Sequence, residues 1–88
     1  MTGMLRAAVD AALADDWDLA HRIVQDSADP LVCWIHAILH KMEGDAWNSR
    51  YWYGMSGCRR YEDFQDPRVE LEAVRALLIK SGTAPRGE

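Results

Sequence analysis

Apolar residues recur along this chain at intervals of three and four, in five stretches parted by short polar breaks. Placed at about 100° per residue, Met4, Leu5, Ala8, Val9, Ala12 and Leu13 share one side of a first helix. Trp17, Leu19, Ala20, Ile23 and Val24 group in a second, and Leu31, Val32, Trp34, Ile35, Ile38, Leu39 and Met42 in a third. A last group joins Leu71, Ala73, Val74, Leu77 and Leu78, opposite Arg68, Glu72 and Arg75. The breaks carry helix-start chemistry. Asp29-Pro30 and Asp66-Pro67 each place a capping carboxylate ahead of a proline, whose missing N–H costs nothing at the first helical position. Asp15-Asp16 and Gly44-Asp45 read as the centres of tight turns, and Gly82 with Pro85 reads as a helix stop. Helices are predicted over 3–14, 16–27, 30–43, 45–57 and 67–81, in a single domain over 1–82 followed by a flexible tail over 83–88. No stretch alternates with period two, so the predicted fold class is all-α.

The fourth helix breaks the amphipathic rule. Trp47, Tyr51, Trp52, Met55 and Cys58 share a broad arc, whereas Tyr53 projects almost the other way, near Ala46 and Ser49. Either this helix is clasped from two sides as a central rod, or an aromatic edge is left for a partner. Burial of aromatic rings dominates the energetics of a small domain, so most of the four tryptophans are expected in the core.

A weak internal period appears when the two tight turns are superposed at an offset of 29: Ala8 then matches Ala37, Ala20 matches Ser49 and Ser27 matches Ser56. Small residues at such positions let helices cross closely, and periods in this range mean stacked hairpins. The expected architecture is two antiparallel helical hairpins plus a C-terminal capping helix. In carrying Glu43-Gly44-Asp45 at a turn, with Ser49, Tyr53 and Ser56 after it, residues 3–57 resemble the tetratricopeptide-like helical repeats. His36 and His40 depart from that pattern, standing where the family has a large apolar and an aromatic residue. The resemblance implies an interaction module in which the first helices of successive hairpins line a shallow groove. Arg6, Asp10, His36, His40, Arg68 and Arg75 are the polar residues expected there, facing a protein or peptide. Trp47, Tyr51, Trp52 and Tyr53 are the expected interface of a homodimer. The stretch from His36 to Tyr53 is also similar to one in small uncharacterised helical proteins of bacteria and fungi, which implies no activity.

Composition narrows the function classes. With 49% hydrophobic and 27% charged residues the chain is a compact soluble domain rather than a disordered tail. The net charge of −4 is uneven: residues 1–30 set two arginines against six aspartates, while residues 31–60 are mildly basic and hold Tyr51 and Tyr53. That centre lacks a continuous basic stripe, so nucleic acid is not the expected partner. No apolar run suits a membrane span, and Met1–Leu13 lacks a signal-peptide pattern. Cys33 and Cys58 are too few and too far apart for a disulfide framework, which points to the reducing cytoplasm.

Candidate chemistry concentrates on the third helix. His36, His40 and Glu43 stand at i, i+4 and i+7, one line opposite the apolar face, with Cys33 adjoining. The bland reading is a solvated face or groove lining with no cofactor. The sharper one is a metal or small-ligand site, open to enzymatic use, built on His36, His40 and Glu43, with a divalent transition metal as the cofactor because neutral imidazoles at i, i+4 can converge on one ion. Ala37 stands where a zinc hydrolase helix needs glutamate, and no Glu-x-x-His pair occurs, so neither a zincin nor a di-iron motif is present. His21, one turn after Trp17, is expected to stack as an edge residue rather than act as a base. Cys58 precedes Arg59 and Arg60, whose charge favours thiolate, although a helix-end thiol is more often simply packed. Gly54-Met55-Ser56-Gly57 lacks the final glycine and the strand of a nucleophile elbow. No catalytic set emerges.

Overall fold

The structure is a computed structural model that describes the backbone of residues 2–82 and the side chains of residues 3–79. Its helices are α1 (Thr2–Leu13), α2 (Trp17–Val24), α3 (Pro30–Met42), α4 (Ala46–Met55) and α5 (Pro67–Gly82), with a 3₁₀ turn at Tyr61–Asp63 that the sequence pattern did not signal. The expected tail, 83–88, lies outside the described residues. Asp29 and Asp66 cap helices as their positions predict, and Asp16 and Asp45, expected as turn centres, do so too. Asp16 accepts from the Leu19 N–H, Asp29 from Leu31 and Val32, Asp45 from Asn48, and Asp66 from Arg68.

α1 pairs with α2 and α3 with α4, giving two hairpins, and their turns are the same structure repeated at the expected offset. Asp16 N–H donates to Ala11 O at 2.8 Å and Asp45 N–H to His40 O at 2.9 Å. Asp15 N–H donates to Ala12 O and Gly44 N–H to Lys41 O, with Asp15 and Gly44 both left-handed at φ 65° and 81°. Two of the three small pairs also hold: Ala8 and Ala37 are fully buried, as are Ala20 and Ser49, and the Ser49 hydroxyl donates to Ala37 O at 2.7 Å across the α3–α4 crossing, whereas Ser27 is half-buried and its match Ser56 buried.

The centre of the molecule is α3, not α4. It touches α1, α2, α4 and α5, and every residue from Val32 to His40 is buried. α4 packs chiefly on α3, with smaller contacts to the 3₁₀ turn and, through Tyr53, to Glu70 of α5, so its expected position as a central rod is overturned. Its consecutive aromatics diverge accordingly: Tyr53 is buried, Trp52 half-buried and Tyr51 exposed. Of the tryptophans, Trp34 is buried, Trp17 and Trp52 are partly so, and Trp47 is 77% exposed. Leu19, grouped above with the apolar arc of α2, sits opposite Trp17 and is exposed.

α5 lies against α1 and α3, the first helices of the two hairpins. It therefore fills the face that would have been the groove. Arg68 donates to Leu13 O at 2.6 Å and pairs with Asp15 at 3.0 Å, and Arg75 faces Asp10 at 3.8 Å. These residues fasten α5 to α1 rather than line an open channel. On the α3 side, the buried Glu70 carboxylate accepts from Trp34 Nε1 at 2.7 Å, from the Tyr53 hydroxyl at 2.7 Å and from Lys41 Nζ at 2.8 Å. Burial and the Glu70 carboxylate push the Tyr53 hydroxyl up, so it stays a donor. Lys41 also donates to Tyr61 O and Phe64 O, which anchors the 3₁₀ turn.

Candidate functional site

On the opposite flank of α3 from Glu70, three imidazoles meet. His36 and His40 project from successive turns of α3, and the α1–α2 hairpin lays α2 alongside so that His21 reaches them. His21 Nε2 and His36 Nε2 are 3.1 Å apart. The His36 and His40 rings stack at 5.0 Å between centroids, and His21 meets both edge-on at 4.8 and 5.4 Å. One donor atom from each of the three rings lies within 4.8 Å of the others.

Two indoles brace the cluster. Trp17 stacks on His21 at 4.7 Å with the planes 9° apart, and its Nε1 donates to Leu39 O at 2.7 Å, which pins α2 to α3. Trp52 of α4 stacks on His36 at 3.9 Å. His40 Nδ1 lies 2.6 Å from Glu43 Oε2. A carboxylate can only accept there, so the neutral His40 ring carries its proton on Nδ1 and its free lone pair on Nε2.

Two of the three rings, His36 and His21, are held below the ordinary imidazole value. Burial, reinforced by the neighbouring His21 and His40, pulls the His36 ring down to about 4. His21 is lowered too, first by burial and then by His40, against weaker opposite pulls from Glu43 and Asp18. Neutral imidazole is the form that ligates a metal.

Two of the three residues of the expected ligand line lie side by side. His36 and His40 come together, but on a buried interface instead of a solvated face, with His36 only 3% exposed. Glu43 groups with His40 and Asp45, not with His36, so among the described residues the expected trio does not converge on one point. His21 takes the third place while also stacking on Trp17 as expected. A sequence signal for it existed: position 21 lies between Trp17 and Val24 on the inward arc of α2. Five of the six expected groove residues divide between this cluster and the α1–α5 seam, and the buried Nε of the sixth, Arg6, has no hydrogen-bond partner among the described residues.

Cys33 is buried, its thiol raised by burial and turned to Ser27 O. Cys58 is exposed, and the following Arg59 lies over the Trp34 ring at 4.3 Å. Arg50 of α4 pairs with Glu62 of the 3₁₀ turn. Along α4, Trp47, Tyr51 and Met55 form an exposed apolar stripe at i, i+4 and i+8. Among the described residues no helix is long and apolar enough to cross a membrane.

Compared with known family models, curated proteins and solved structures, the chain matches none.

Proposed function

We propose that this chain is a small helical domain that binds one divalent transition-metal ion through His21, His36 and His40. The observation that carries the reading is the His21–His36 separation of 3.1 Å, with a third imidazole donor in reach. Two nitrogens at tetrahedral positions on a zinc-sized ion stand about 3.3 Å apart, so His21 and His36 already have the needed spacing, and the His40 donor, within 4.8 Å, closes in on the ion. An all-imidazole set suits zinc, copper, nickel or cobalt and not magnesium or calcium, which need oxygen ligands. Glu43 supports the reading as the carboxylate behind a ligating histidine, orienting the ring and raising its basicity. The test is calorimetric titration of chelator-treated protein with zinc. One ion per chain, lost in His21→Ala, is expected; equal binding by wild type and His21→Ala sinks the reading.

A second reading, an interaction module that self-associates, draws on the α4 stripe. Trp47, Tyr51 and Met55 expose a row that a second copy could cover symmetrically. Sedimentation at micromolar concentration checks it: a dimer dispersed by Trp47→Glu supports the interface, and a strict monomer removes it. The free Cys58 thiol at the surface suits the reducing cytoplasm as the compartment for either reading.

A further inference from the structure

Resting on the metal-binding reading, we infer that an ion held by His21, His36 and His40 keeps one exchangeable coordination position, open to a small anionic donor from solution. A structural zinc site is closed by four protein ligands, whereas a reactive one has three and a water. The question is therefore whether this chain supplies a fourth donor, and the surroundings of the cluster answer it ligand by ligand.

Glu43 is the nearest carboxylate, but it is engaged at the Nδ1 edge of His40, and its oxygens group with Asp45 and not with His21 and His36. Asp45 is committed to α4, one oxygen accepting from the Asn48 N–H and the other from the Asn48 side-chain amide. Cys33 precedes His36 by one turn of α3, yet its thiol points to Ser27 O. The other walls are the Trp17 and Trp52 rings, which offer no ligand atom, and the one indole N–H recorded there, that of Trp17, is spent on Leu39 O. Among the described residues, no fourth side chain joins the three histidines within ligand distance.

Charge decides the class of donor. Three neutral imidazoles leave the doubled positive charge of the ion uncompensated, and Glu43 offsets one unit from beyond His40. An anion in the open position completes the balance. His21, partly exposed, gives the cluster a side toward solvent, while the indoles of Trp17 and Trp52 lie stacked on His21 and His36 at its flanks. A single open position thus favours a small monodentate anion, or hydroxide from bound water, over a chelating ligand.

Cobalt(II) reports coordination directly. Chelator-treated full-length protein is titrated with cobalt chloride, then with sodium azide, while the visible bands are recorded. The expected result is the intense absorption of a four-coordinate ion, shifted saturably by azide, and a saturable azide shift is kept in Glu43→Gln once more cobalt is added to fill its weaker site. Four-coordinate bands that azide leaves unmoved would mean a fourth protein ligand, and the inference fails while the metal-binding reading stands. An azide response gained only in Glu43→Gln identifies Glu43 as that ligand and overturns it equally. Weak six-coordinate absorption overturns it by showing several open positions. No bound cobalt, or bands unchanged in His21→Ala, fells the metal-binding reading itself and the inference with it. His21 is chosen for the variant because it is partly exposed, so its loss leaves the core around α3 intact.

Discussion

Lys41 and Glu70, 29 residues apart in the chain, meet at 2.8 Å in the interior, their side chains 5% and 1% exposed. Breaking a buried pair by removing one partner costs about 3–5 kcal/mol, because the other charge stays buried without compensation. Lys41→Met is expected to destabilise by that order in urea unfolding. Lys41→Met combined with Glu70→Leu should lose less than the sum of the two single variants, since the double change leaves no orphaned charge. Strict additivity would show that the pair does not interact.

The metal-free protein should weaken in mild acid. His36 titrates near 4 when folded and near 6.5 when free. Between those values the unfolded chain takes up a proton that the folded one refuses, so stability falls as pH drops through this window. The slope is at most about 1.4 kcal/mol per pH unit for one such group. His21 is shifted the same way and adds to the slope. Urea midpoints measured from pH 7 to pH 4 in wild type and His36→Gln check this, with a shallower dependence expected in the variant.

Zinc should raise the melting temperature in proportion to the logarithm of its excess. At a free concentration 100-fold above Kd the gain is about 2.7 kcal/mol, or on the order of 10–20 °C for a domain of this size. Glu43→Gln is expected to bind zinc about 10–100-fold more weakly while melting normally without it. Thermal scans with and without chelator separate the two effects.

The repeated turn predicts equivalent responses in the two hairpins. Ala20 and Ser49 occupy matching, fully buried crossings. Ala20→Val and Ser49→Val should each overpack by about 1–3 kcal/mol. Ser49→Ala, which restores the residue of the first hairpin but removes the bond to Ala37 O, should cost only about 1 kcal/mol. Chemical denaturation of the three variants tests the equivalence.

The helices and their order were legible because each start is written locally, in Asp16, Asp29, Asp45 and Asp66. The offset of 29 was legible for the same reason, since turns are short-range chemistry. What sequence reasoning placed wrongly depends on tertiary contact. His36 and His40 count as polar in any hydrophobic pattern, yet a neutral imidazole is a flat ring that can be buried against Trp17, Trp52 and His21. Lys41 and Glu70 look like solvated charges until the fold brings α5 onto α3. α4 looked central because it is aromatic all round, but Trp47 and Tyr51 face outward and only Trp52 and Tyr53 enter the molecule.

His40 and Lys41 are consecutive, and they turn to opposite flanks of the same helix. α3 therefore cannot swivel about its long axis without dismantling both the imidazole nest and the carboxylate knot at once. That double latch fixes the azimuth of the helix to within a side chain's play. The direction in which His36 presents its ring is thus held from both sides of α3, by the Trp52 stack and by the distant Lys41–Glu70 contact.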